Sequence, residues 1–256
     1  MNKKTHTVRL TNLLLLVAVT ALYAVHISAQ APAKTGDDFN KVEFYGGYSI
    51  ASVQPNVKEI SEFGMTFSPC SADATPILGQ NFQTSFCKRS TFNGFDTSLT
   101  YNVTRYLGVK GNISGHFKSK DYTDDIAGAA ETITRKEHVI NYLVGLQIKD
   151  NAKSARFKPF GHALFGAATY SYKATNVAPT RPSDNFEITA KSTAFAMKFG
   201  GGIDVRVHKR IDLRVIEVNY NPVLVRDYPL VGDPYGAIPH TRTANNFTFG
   251  FGIVIH

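Results

Sequence analysis

Ten charged residues recur on one side of alternating stretches of this chain. Five are acidic (Glu43, Asp96, Glu137, Asp204 and Glu217) and five basic (Lys110, Lys118, Lys198, Arg206 and Arg214). Equal numbers of each sign on one face can form a network of ion pairs. Catalysis needs more. His116, His138, His162 and His240 are available as bases, but no Ser/His/acid spacing accompanies them, so no catalytic residue is assigned and the chain is read as non-enzymatic. Cys70 and Cys87 are the two cysteines; in an exported protein they are expected to form a disulfide, and without a nearby histidine they make no zinc set. Gly200-Gly201-Gly202 lacks the spacing of a phosphate loop, and glycine there is expected to allow strong strand curvature. Asn102-Val-Thr, Asn112-Ile-Ser and Asn246-Phe-Thr match a glycosylation acceptor but fall in predicted strands. No metal and no cofactor is expected.

The elements that hold these charges are read from the alternation. The stretch 247–256 has Phe247, Phe249, Phe251, Ile253 and Ile255 on one face and small or polar residues on the other. Seven more segments behave similarly, near 41–52, 91–103, 107–118, 135–148, 156–172, 191–206 and from 211. In the fifth, Phe160, Leu164, Tyr170 and Tyr172 set the apolar face, Phe165 opposes them, and His162 is expected to turn away through a phase slip near Pro159. In the seventh, an extra residue at Ile216 is needed to keep Glu217 with the charges, which predicts a bulge. The connections alternate in length: long at 53–90, 119–134, 173–190 and 226–244, and short at 104–106, 149–155 and 207–210. Tight turns at one rim and long loops at the other are the habit of a barrel crossing an asymmetric membrane.

Composition agrees. The chain has 256 residues, 43% hydrophobic and 12% aromatic with no Trp, and 20 glycines. Its mean hydropathy of -0.14 excludes a bundle of membrane-spanning helices. Residues 1–29 read as a signal peptide, with Lys3, Lys4 and Arg9 before an apolar run from Leu13 to Val25 and cleavage expected after Ala29. Removing those three cations lowers the formal net charge from +8 to +5. The remaining lysines are scattered, so no nucleic-acid partner is expected, and anionic lipid headgroups account for the mild basicity. Residues 30–40 form a polar leader and 41–256 the barrel domain.

Each segment carries roughly 9 to 12 alternating residues, enough for a tilted strand to cross hydrocarbon. No backbone group can go unpaired in lipid, so the sheet must close, with the last strand against the first. The expected fold is all-β: an eight-stranded antiparallel up-and-down transmembrane β-barrel. Tyr48, Tyr101, Tyr142 and Tyr172 are placed on its lipid face as a girdle. The rival is a soluble lipocalin-like barrel with the faces inverted and an apolar ligand inside.

The segments GGGIDVRVHKRIDLRVIEVNY (200–220) and NNFTFGFGIVIH (245–256) resemble the small outer-membrane β-barrels of the OmpA membrane-domain and OmpX type, and the likeness of pattern covers about 41–256. The resemblance implies the outer membrane of a Gram-negative-type bacterium, contact with its lipid, and insertion by the outer-membrane assembly machinery. Two departures stand out. His256 overhangs Ile255, where such chains usually place an in-phase aromatic end, and Pro222 lies in a strand with no free edge, so it is expected near the outer rim. The alternation running to residue 256 leaves no wall-binding domain after it, so anchoring to the wall is expected to need another protein. Eight strands enclose a space that side chains nearly fill, so a general porin is not expected. The expected role is structural or surface-interactive, through long extracellular loops that meet an unknown ligand. A small-solute channel and a lipid-modifying enzyme are the alternatives.

Overall fold

The computed structural model describes residues 39–54, 60–62, 65–67, 88–126, 129–177, 186–226 and 241–256. The strands are β1 (Val42–Val53), β2 (Ile60–Glu62), β3 (Met65–Phe67), β4 (Ser90–Asn102), β5 (Leu107–Ile126), β6 (Ala129–Lys149), β7 (Phe157–Val177), β8 (Phe186–His208), β9 (Ile211–Arg226) and β10 (Thr241–Ile255). Eight of them close a barrel in the order β1-β10-β9-β8-β7-β6-β5-β4, and β2 and β3 form a separate hairpin inside the predicted long connection 53–90. Closure is the antiparallel pairing of β1 with β10, from Phe44 opposite Ile255 to Ser52 opposite Phe247.

Side-chain exposure settles which face is which. Leu99, Val144 and Phe251 are 57%, 58% and 56% exposed, whereas Lys198 and Asp204 are 0% exposed. Apolar side chains therefore cover the outside and charges fill the lumen, the opposite of a soluble barrel with an apolar cavity. Phe247, Phe249, Phe251, Ile253 and Ile255 all face outward.

Three features differ from or refine the sequence reading. First, β5 to β8 are 20, 21, 21 and 23 residues long, against 12 and 13 for β1 and β4. Much of 119–134 and 173–190, expected as loop, continues the strands: Lys118–Ile126 pairs residue for residue with Ala129–Glu137. The outward apolar face ends at Phe117, and past it Ser119, Asp121, Thr123 and Lys136 are exposed. Polar residues on both faces hide the strand signal there, while the backbone ladder continues without it.

Second, segment five is read with its faces exchanged. Phe160, His162 and Leu164 are buried in the lumen and Phe165 is exposed. Tyr170 and Tyr172 share the lumen phase, so Tyr172 is not part of the outer girdle. No slip occurs at Pro159, which pairs with Ile203 in an unbroken ladder. The lumen here needs aromatic bulk, and small Gly161, Ala163 and Ala167 occupy the lipid side, inverting the expected contrast.

Third, β9 contains the bulge. Between Arg214 and Glu217 it advances three residues while β10 advances two, from Gly252 to Gly250. Val215 and Ile216 are both exposed, which keeps Arg214 and Glu217 in the lumen. Gly202 accepts the bulged backbone, since a Cβ there would sit 2.0 Å from the Ile216 carbonyl oxygen. Pro222 interrupts pairing with β8 between Tyr220 and Val223. The orphaned Met197 carbonyl oxygen, opposite Pro222, instead accepts the Asn221 side-chain Nδ2 at 2.5 Å. This repair lets a proline sit inside a closed barrel.

Candidate functional site

The site is the lumen, built by the inward residues of all eight barrel strands. The ten predicted charges all point into it; eight are buried, and Lys118 and Arg206 are half-buried. Along β1, β7 and β9 the buried charges Glu43, Lys158, Asp212, Arg214 and Glu217 lie toward the short turns.

Arg214 is the centre of the charged half. Its Nε and Nη2 donate to Asp204 at 2.8 and 3.1 Å, and its Nη1 donates to Glu217 at 2.7 Å. The guanidinium plane lies between the Tyr45 and Phe160 rings, each centred 4.0 Å away. A planar, weakly hydrated cation suits that slot. Lys149 bridges Glu43 at 3.0 Å and Asp204 at 2.8 Å. Lys158 bonds Asp212 at 2.8 Å, and the same carboxylate meets His256 Nε2 at 2.8 Å. His256 thus joins the lumen network. Arg206 approaches Asp212 at 4.0 Å.

Further up, Lys198 donates to Asp96 at 2.8 Å and to Asn112 at 2.7 Å. Lys110 Nζ lies 3.3 Å from His162 Nδ1, and His162 Nε2 lies 3.8 Å from Glu217. His116 Nε2 is 2.9 Å from Ser49 Oγ, and both residues are buried. This is a base beside a hydroxyl, both enclosed in the lumen. His138 lies opposite Ser171 on the outer face, but the two make no hydrogen bond. Among the described residues no group of His, Cys, Asp and Glu has the form of a metal site. Cys70, Cys87 and His240 lie outside the described residues.

Above the charges the lumen becomes apolar. Leu143, Leu164, Ala168, Ala196, Val223 and Ala244 form one cluster, and Ala51, Val53, Phe92 and Val139 another. At the long-connection end Arg135 pairs with Glu137 at 2.5 Å, Tyr170 donates to the same carboxylate, and Lys118 donates to Ser90 at 2.7 Å. At the opposite end Asn40 accepts from Asn102 Nδ2 at 2.7 Å and its N–H donates to Asn151 at 3.2 Å, while Phe39 bridges Ala152. Residues 39–41 thereby tie β4 to the β6–β7 turn at the short-turn mouth.

Sequence reading missed Lys149, Lys158, Asp212, Arg135, Tyr45 and Phe160. Asp212 was visible, since Ile211 and Leu213 flank it as Leu213 and Val215 flank Arg214. Lys149 lay at the edge of a predicted turn, and the exchanged phase of segment five hid Lys158 and Phe160.

Taken together, the inward side chains hold charge in fixed pairs that tie the strands to one another across the lumen. Among solved structures, the fold is similar to Ail, the attachment invasion locus protein of Yersinia pestis, at 12% identity, covering 84% of this chain and 98% of that one with a TM-score of 0.41. It is also similar to OprG from Pseudomonas aeruginosa (11%, 86% and 97%, 0.41) and to the outer membrane protease OmpT from Escherichia coli (9%, 88% and 99%, 0.47). No curated protein sequence matches the chain. The sequence profile of the outer membrane protein beta-barrel domain matches residues 17–254, and the chain belongs to that family, a family of the Gram-negative outer membrane.

Proposed function

We propose that this protein is a non-enzymatic surface-interaction barrel, with a paired-charge lumen as its rigid support. The observation that carries this reading is the extension of β5 to β8 past the apolar band. A tilted crossing needs about 9 to 11 residues, and these strands have 20 to 23. Their outward positions beyond the band are polar: Asp121, Thr123, Lys136, Thr189 and Lys191 are exposed. Cross-strand contacts hold them, including Lys173 to Glu187 at 2.7 Å and Thr169 to Thr193 at 3.0 Å. A raised four-stranded wall presents a surface that a crossing alone does not require. Among the described strands, β5 beyond Lys118 pairs only with β6, and β8 before Phe195 only with β7. Such edges suit a partner that adds an extended segment.

The test removes residues 121–134 and closes the hairpin at Lys120 and Arg135, which are paired. The trimmed barrel is expected to insert and to keep its heat-modifiable migration, while purified wild-type protein in vesicles binds immobilised envelope polysaccharide or matrix protein and the trimmed form does not. Equal binding by both removes the support for this reading. The channel alternative is checked in planar bilayers, where no conductance steps are expected from a lumen closed by Arg214, Lys149 and Lys158.

A further inference from the structure

The two ends of the barrel carry charge differently. On the raised segments 119–126, 129–136, 171–177 and 186–193, Lys120, Arg135, Lys136, Lys173 and Lys191 are matched by Asp121, Asp124, Asp125, Glu131 and Glu187. The short-turn rim is not balanced. Among the described residues Lys41, Arg105, Lys153, Arg156, Lys209 and Arg210 are all exposed there, against one carboxylate side chain, Asp150. Asp150 is already engaged, accepting from Arg105 Nε and Nη2 at 2.7 and 2.8 Å.

The cations surround the opening. Lys41 precedes β1, Arg105 lies between β4 and β5, Lys153 and Arg156 lie between β6 and β7, and Lys209 and Arg210 lie between β8 and β9. They begin where the lipid-facing surface stops: Val103, Phe157 and Val207, in or beside the same turns, are 58%, 65% and 61% exposed. The backbone fixes this depth. Val103 and Thr104 donate to the Leu107 carbonyl at 2.9 and 3.1 Å, and Asn151 donates to the Arg105 carbonyl at 3.0 Å, tying one turn to the next. Arg105 lies over Tyr106 and Arg156 over Phe157, with ring centres 5.0 and 5.9 Å from the guanidinium carbons.

We infer that the short-turn rim is a binding belt for the phosphate headgroups of anionic phospholipid in the leaflet it meets. Long basic side chains flanked by apolar anchors reach the level where hydrocarbon gives way to headgroups. Anionic lipid is the abundant counter-charge at that depth, and its attraction for Lys and Arg is electrostatic and salt-screened. The belt rests on the membrane placement of the barrel and is independent of the raised wall.

The test refolds the full chain into phosphatidylcholine vesicles doped with phosphatidylglycerol, extracts it in mild detergent and measures the lipid retained. Wild type is expected to retain phosphatidylglycerol above its share of the membrane, and K153A/R156A/K209A/R210A to lose that enrichment by about tenfold or more, given the attraction of each basic residue for an anionic surface. Heat-modifiable migration reports that the variant is folded. K120A/K136A/K173A/K191A, on the raised wall, is expected to retain phosphatidylglycerol as wild type does. Enrichment unchanged in the rim variant, or lost equally in the wall variant, overturns the inference. So does a rim that shows no phosphatidylglycerol preference yet retains poly-glutamate in pure phosphatidylcholine, which points to a soluble acidic partner. Trimming 121–134 leaves the expected lipid result intact, so failure of the belt and failure of the surface role are read separately.

Discussion

Replacing Arg214 with methionine keeps an unbranched apolar stem and removes the charge and five donors. Asp204 loses two hydrogen bonds and Glu217 one. Asp204 keeps Lys149 at 2.8 Å, and Glu217 keeps the Asn219 amide at 3.1 Å. Breaking a buried pair by removing one partner costs about 3–5 kcal/mol, because a charge is left in the interior; the surviving contacts put the expected cost near the lower end, about 3 kcal/mol. With urea slopes of about 1–3 kcal/mol per M, the unfolding midpoint in lipid vesicles should fall by roughly 1–3 M. The readout is the ratio of folded to unfolded bands on unboiled gels across a urea series. Arg214→Lys restores the charge without the planar fork and should land between. The triple variant R214M/D204N/E217Q removes the stranded charges and should recover most of the loss. A midpoint moving by less than about 0.3 M in R214M, well below the expected 1–3 M, would refute the claim that this arginine organises the lumen.

Three further outcomes follow from particular contacts. Asn221→Ala should cost about 1–3 kcal/mol by stranding the Met197 carbonyl, and the cost should largely vanish in a Pro222→Ala background, where a backbone N–H returns; a double-mutant cycle on urea midpoints measures this. Deleting Ile216 removes the bulge yet leaves every inward residue of β9 in phase, so a folded band is expected. Deleting Val218 turns Asn219 and Asn221 toward lipid and should abolish the band. At the short-turn rim, hydrogen bonding from Arg105 holds the Asp150 carboxyl below its ordinary range, opposed by partial burial and helped by the Ala152 N–H. A depressed carboxylate contributes stability above its unfolded value and loses it as pH falls through the folded one. Hydrogen exchange at the Ala152 amide should therefore stay slow through the usual carboxylate titration and quicken only at more acidic pH, and quickening within the ordinary range would contradict the pairing.

Alternation makes much of this protein legible in the sequence alone. A period of two cannot be satisfied by a helix, and charges on one face with aromatics on the other leave only two ways to close a sheet. Glu217 illustrates how far that goes: its sign and its phase conflict with Leu213 and Val215 until one residue is inserted, and the bulge lies at Val215 and Ile216. The same logic failed at β7, where Phe160 is large because Arg214 needs a ring beneath it, a demand set by a strand about fifty residues away.

What the chain by itself determined was the strand count of the barrel and the inward charges, because these depend on local period and composition. Tertiary structure alone decided the partners. Lys149 bridges Glu43 and Asp204, and His256 meets Asp212, because closure brings distant strands within reach of one another across a narrow lumen. It also decided the height of the wall. Past Phe117 polar residues stand on both faces, so the hydrogen-bonded ladder between β5 and β6, and not the sequence pattern, marks where the strands continue.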